Sequence, residues 1–385
     1  MKDHPRALAA AWRGVLAGGV DPAEVRQVIG ERLVLPAEEP DAWRSGRPLR
    51  GVRTETRGQD GTPAPGALDP ASVTVHSGLD LGRHYLVDEH WGTLGAPVER
   101  QVSVDYRYSL LRVDSIIETE RVALVRGRSH LTAPLPPPLP AGARRLANVF
   151  VPYFSNGRDY DVFPVSEPDR QSSSTVDMLP RFAAKLSRRQ PVKVVCWGDS
   201  VTEGGDSSSE QTAYPAVLSR LLRAAHPDVR IELTAVAVGG SNSTQWLGEE
   251  PRCDWERVAA EHPDLVTVEF VNDAGLAESA WEETYLEIVS RIRALGAEPL
   301  LTTPHFTMPA MMGIDDLRAA DPRPYVRFIR DFAARQRIAL ADVSARWERL
   351  ASEGLPYITL LANAINHPDD RGHALAADEL FRSLT

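Results

Sequence analysis

The decapeptide WGDSVTEGGD, Trp197–Asp206, follows directly on PVKVVC (191–196), a short apolar run rich in valine. A serine flanked by an acid and trailed by two glycines, placed where a strand gives way to a loop, has two readings. Gly, Asp and Ser are ordinary turn residues. Open α/β sheets, however, keep their sites at the carboxyl ends of parallel strands, and there Ser200 would be a presented nucleophile. The rest of the chain decides between them.

From this point strands and helices alternate. VKVVCW precedes the helical AYPAVLSRLLRAAH and strand IELTAVAV, and helix DWERVAAEH leads to strand LVTVEFV. Helix WEETYLEIVSRIRALG leads to EPLLTT, helix YVRFIRDFAARQR to IALADV, and RGHALAADELFRSL is the last helix. This pattern predicts a doubly wound parallel sheet covered on both faces, an α/β domain over residues 178–385.

Residues 1–170 have a different texture. Apolar groups at helical spacing over 6–34 read as two short helices parted by GGVDP (18–22), and about 44–70 reads as irregular. SVTVHSGLDL, HYLVDEHWGTLG, QVSVDYRYSLLRVDSI and RVALVRG then alternate apolar and polar residues between Gly and Asp, with RRLANVFVPYF and DYDVFPVSE returning to the sheet. This is the pattern of a β-sandwich or jelly-roll-like domain. The proline-rich 132–143 reads as a stiff connector and the serine-rich 167–177 as the boundary between domains.

Composition narrows the function. Hydrophobic residues make up 43% of the 385, enough for a large core, and the net charge of −10 argues against nucleic acid or an anionic membrane as main partner. No run approaches the roughly 18 apolar residues of a membrane span. The amino-terminal stretch lacks a signal-peptide core, so the cytoplasm is the expected location. Cys196 and Cys253, the only cysteines, have neither zinc spacing nor the numbers of a disulfide framework. No metal or other cofactor is expected.

A serine needs a base within reach and donors aimed at the oxygen that becomes negative. AVAVGGSNS puts Gly239 and Gly240 after the second strand of the α/β domain, where a backbone N–H can approach an oxyanion. FVND puts Asn272 after the third, as a second donor, and NHPDDRGH puts His367 just ahead of the last helix, with Asp369 and Asp370 suited to capping. Each alone is an ordinary turn, loop or cap. Their order, at four different places around one sheet, carries the argument.

Gly198-Asp199-Ser200-Val201-Thr202-Glu203-Gly204 resembles the first block of the GDSL, or SGNH, hydrolases, and Gly240, Asn272 and His367 fall where that family's other blocks lie. The resemblance covers about 178–385. It implies a three-layer α/β/α domain that hydrolyses esters through a seryl-acyl intermediate. Ser200 would be the nucleophile and His367 the general base and acid. The N–H groups of Ser200 and Gly240 and the Asn272 amide would form the oxyanion hole.

Two positions depart from the family pattern. Phe270 stands where glycine is usual, either shaping an acyl pocket or, as we favour, completing the strand. Ala364 stands where the family has an aspartate three residues before the histidine. The expectation is therefore a Ser-His dyad, with Asn363, Asn366 or a backbone carbonyl holding Nδ1. Such dyads occur among SGNH carbohydrate esterases with a β-rich domain in front, a layout similar to this one. The implied substrate is an acetyl or other small acyl ester of a small carbohydrate or oligosaccharide. The rivals are a lipase or thioesterase and a glycan-binding protein on a decayed hydrolase domain. His305, after the fourth strand, either faces the crevice or is a satisfied loop residue, and Trp91 stacks on sugar or, more simply, packs inside the sandwich.

Overall fold

Valine, isoleucine and aromatic residues supply the strands of the amino-terminal part, as their fit to a pleated, half-buried surface dictates. The structure, a computed structural model, describes residues 14–40, 45–53, 63–76, 78–165, 175–248, 250–313, 321–355, 360–363 and 365–385. The chain divides into two units: Met1–Glu167 with Leu350–Ile365, and Pro168–Arg349 with Asn366–Thr385.

In the first unit the strands are β1 (Val25–Leu35), β2 (Arg47–Pro48), β3 (Leu68–His76), β4 (Leu86–Val87), β5 (Thr93–Gly95), β6 (Arg100–Ser109), β7 (Arg112–Glu118), β8 (Val122–Val125), β9 (Arg144–Val151) and β10 (Asp161–Pro164). They form three sheets, in the orders β1-β6-β3, β10-β9-β7-β8 and β2-β5-β4. Every pairing in them is antiparallel. Leu35, Leu68, Val104 and Tyr106 lie in one apolar cluster, Ile116, Ala147 and Val149 in another.

One expectation fails here. The segment VRQVIGERLVL, read as part of a helical pair, is the strand β1, which runs antiparallel to β6 from Val25 opposite Ser109 to Leu35 opposite Arg100. A bulge between Val28 and Glu31 accommodates Gly30 at φ +69°. Its β-branched residues have a partner strand far along the chain, and that pairing overrides local helical spacing. Most of the other expected helix falls on 1–13, outside the described residues.

The second unit holds one parallel sheet of five strands, β11 (Val192–Gly198), β12 (Ile231–Ala237), β13 (Leu265–Glu269), β14 (Glu298–Thr302) and β15 (Ala339–Ala341), in the order β12-β11-β13-β14-β15. Side chains alternate along a strand, so Val195 and Trp197 of β11 face one side and Val194 and Cys196 the other. Val195 and Trp197 pack with Trp281, Tyr285 and Ile288 of helix Glu278–Ala294 and with Ile329 and Phe332 of helix Pro324–Gln336. Helices Tyr214–Ala225 and Asp370–Leu384 pack against each other and against the edge strands β12 and β15 respectively. The fold is thus the expected α/β parallel sheet with covering helices, preceded by a mostly antiparallel domain. The strand order reverses at β11, which makes its carboxyl end the topological switch point. Among the described residues no helix is long and apolar enough to cross a membrane.

Candidate active site

β11 ends at Gly198, a position where nothing larger fits. A Cβ there would fall 2.3 Å from the Glu269 carbonyl oxygen and 2.1 Å from Thr202 Oγ1. Asp199 follows as the cap of the short helix Ser200–Glu203, its carboxylate accepting from the Val201 N–H at 3.1 Å. Ser200 is therefore the first helical residue, at the end of the strand where the sheet reverses. The strand end and the helix start fall where the sequence places them.

The turn that ends the helix has a second consequence. Gly204 takes φ +91° and Asp206 φ +59°, a left-handed conformation that aspartate tolerates better than most residues. Gly205, between them, donates its N–H to the Ser200 carbonyl at 2.7 Å. A Cβ on Gly205 would lie 3.1 Å from His367 Cε1 and 3.2 Å from its Nδ1, so this glycine lets the imidazole ring close on the turn.

Ser200, His367 and Asp206 stand in line. His367 Nε2 lies 3.0 Å from Ser200 Oγ, and its Nδ1 lies 2.8 Å from Asp206 Oδ2. The acceptor at Nδ1 places the proton there and leaves Nε2 with a lone pair toward the serine. The dyad expectation is overturned: a carboxylate does face the imidazole, from the loop just after the nucleophile and not from the segment before the histidine. Asn363 Oδ1 accepts instead from the Ile365 N–H at 2.9 Å, and the Asn366 carbonyl is bound by His305. Ala364 lies outside the described residues. Asp206 is the last residue of the decapeptide Trp197–Asp206. The pair of glycines before an acid was its only local signal.

The loop bearing Asp206 is tied to the helix that follows His367. The Ser208 N–H donates to Asp370 Oδ1 at 2.8 Å, and the ring of His373 stacks on Tyr214 with its Nε2 3.4 Å from the Gly205 carbonyl. Asp369 caps Asp370–Leu384 by accepting from the Arg371 and Gly372 N–H groups, as expected of it.

Beneath the serine lies a buried acidic layer. Asp199 is fully buried, and burial pushes its carboxyl up to about 7 despite donors from Val201 and Asn272. Burial likewise raises Asp273 to about 6, although Ser243 N–H and Tyr285 O–H donate to it at 2.8 and 2.9 Å. Burial also pushes the Glu269 carboxyl well above the usual carboxylate range, with Asp199 adding like-charge repulsion.

Asn272 joins this layer. Its Nδ2 donates to Asp199 Oδ2 at 3.1 Å and to the Ser241 carbonyl at 2.9 Å, so both amide hydrogens face protein acceptors. Any hydrogen bond to an oxyanion replaces one of these. Gly240 takes φ +75° in the turn after β12, and its neighbour Gly239 adjoins the serine, a Cβ there lying 3.8 Å from Ser200 Cβ.

The remaining candidates belong to packing. His305 is buried, its Nε2 2.8 Å from the Asn366 carbonyl and its ring beside Trp347, and burial holds its pKa down at about 3. It therefore steadies the residue next to His367 as a neutral donor and is not an exposed substrate contact. Trp91 is 8% exposed and packed in the β-rich unit, so it offers no open stacking face. Phe270 is buried edge-on against Trp197 at 5.1 Å, in the core.

A parallel sheet that ends on a serine, hydrogen-bonded to a histidine that a carboxylate holds, has the arrangement of an ester hydrolase. Residues 196–375 match the GDSL-like lipase/acylhydrolase family, and the chain carries a domain of that family. Among solved structures, it is similar to a two-domain esterase active on acetylated mannans, at 18% identity over 54% of this chain, with a TM-score of 0.45. The match spans 52% of that protein, about half its length. It is similar also to an acetylxylan esterase from Geobacillus stearothermophilus, at 20% identity over 50% of this chain and 94% of that one, with a TM-score of 0.41. No curated protein matches the chain.

Proposed function

We propose that this chain is a serine esterase that removes acetyl or another small acyl group from a carbohydrate. The observation that supports the chemistry is the line of Asp206, His367 and Ser200, with contacts of 2.8 and 3.0 Å. Ser200 Oγ attacks the ester carbonyl while His367 Nε2 takes its proton. Asp206 keeps the ring in the productive tautomer and offsets the imidazolium charge. The Ser200 N–H at the helix start, the Gly240 N–H and one Asn272 hydrogen released from Ser241 or Asp199 receive the oxyanion. His367 returns the proton to the departing alcohol, leaving the acyl group on Ser200. Water, deprotonated by the same imidazole, then frees the acid.

The carbohydrate assignment has a separate support, the β-rich domain in front of the hydrolase domain, a layout shared by carbohydrate esterases of the family. Burst release of p-nitrophenol from p-nitrophenyl acetate, absent in Ser200→Ala, tests the chemistry; loss of the nucleophile is expected to cost on the order of 10⁶ in kcat. Acetate release across a panel of acetylated sugars tests the substrate. A preference for long acyl chains over acetate would refute it and point to a lipase.

A further inference from the structure

The chain is acidic overall, with a net charge of −10, yet its β-rich unit gathers four arginines around one cleft of about 350 Å³. Arg26 comes from β1, Arg50 and Arg53 flank a tight turn before β3, and Arg128 lies in the loop after β8. Segments about a hundred residues apart are thus folded together around a shared wall of arginines, with Tyr108 and His130 also lining the cleft. Arg26 is paired with Glu24 at 2.8 Å. Arg50 and Arg128, both exposed, enter no ion pair among the described residues.

Like charges held in one cleft repel, and an anion placed among them relieves that repulsion. Guanidinium forks match the oxygens of phosphate and carboxylate in pairs, which a compact ammonium does not. The charged side chains lining this cleft are all arginines. Its volume lies in the range of about 300–1,000 Å³ typical of small-molecule sites.

We propose that this cleft binds a small oxyanion-bearing molecule, a phosphate or carboxylate carried on a body of monosaccharide size, with Arg50 and Arg128 as its principal contacts. The site is independent of the reading of Ser200, because every residue lining it belongs to the β-rich unit.

Titration calorimetry of the full chain with glucose 6-phosphate, glucuronate and neutral glucose tests the proposal. Saturable binding of a charged sugar is expected, weakening as salt screens the arginines. In the double variant Arg50→Gln/Arg128→Gln affinity should fall about tenfold or more. A far-ultraviolet circular dichroism spectrum and a Tm unchanged in that variant report that it is folded. Binding of the phosphate ester alone assigns a phosphate site, and binding of glucuronate alone a carboxylate site. The proposal is overturned if neither anion binds below about 10 mM, or if glucose binds as tightly as its charged derivatives. Wild-type affinity in the double variant would also overturn it.

Discussion

Replacing Asp206 by asparagine removes one negative charge and leaves the left-handed turn a residue that tolerates it. When His367 takes the serine proton, the imidazolium charge lies about 4 Å from the carboxylate charge. At an effective dielectric of about 20 two unit charges at that separation attract by about 4 kcal/mol. Both side chains are open to solvent, 23% for His367 and 21% for Asp206, so screening cuts this toward about 2 kcal/mol. The lost charge alone then lowers kcat by about 30- to 1,000-fold. An asparagine that turns its NH₂ toward Nδ1 adds to the loss, because it favours the tautomer with no lone pair for Ser200. Replacements of this kind in serine proteases cost about 10⁴. The expected fall is therefore about 10² to 10⁴ in kcat, with KM little changed. Steady-state hydrolysis of p-nitrophenyl acetate between about pH 6 and 9, on protein whose Tm matches wild type, measures it. A kcat within about threefold of wild type across that range would show that His367 works as a dyad and that the Asp206 contact is incidental.

Gly205→Ala is expected to lower kcat about a hundredfold, because its Cβ would press on the His367 ring at 3.1 Å and on the Ser200 carbonyl at 2.9 Å; unchanged kcat in a folded variant contradicts that crowding. His305→Gln should remove an acid lability. With a folded pKa of about 3 against about 6.5 unfolded, His305 favours the folded state above about pH 6.5 and loses that contribution as pH falls. The difference between pH 7 and 4.5 is about 2–3 kcal/mol. Asp199 and Asp273, raised to about 7 and 6, act in the opposite sense, holding protons that the unfolded chain releases, so only the comparison of variant with wild type isolates the histidine. Parallel urea stabilities for the two proteins at both pH values would count against it. Full activity is expected after exhaustive chelation, since the proposed steps use side chains and water alone; a loss restored by added zinc or calcium would overturn this.

The alternation of strand and helix after Pro191 is written locally, in residue periodicity and turn chemistry, and so are the strand end that presents Ser200 and the helix start behind His367. Those follow from sequence because each depends on residues a few positions away. Asp206 shows where that ends. Its identity and its two preceding glycines were in plain view, but its role requires an imidazole 161 residues further on to arrive within 2.8 Å. That approach is set by Asp370 and His373, which tie the turn to the last helix. Strand β1 forms for the same reason, since its pairing with β6 outweighs its own helical spacing. For His305 local sequence leaves two readings, a crevice residue or a satisfied loop histidine, and burial with the Asn366 carbonyl decides for the second, a neutral prop for the residue beside His367. Local sequence determines which elements form and which side chains sit at their ends. Which of those ends meet is decided by packing between distant segments, and a hydrogen bond is sensitive to that packing at the scale of tenths of an ångström.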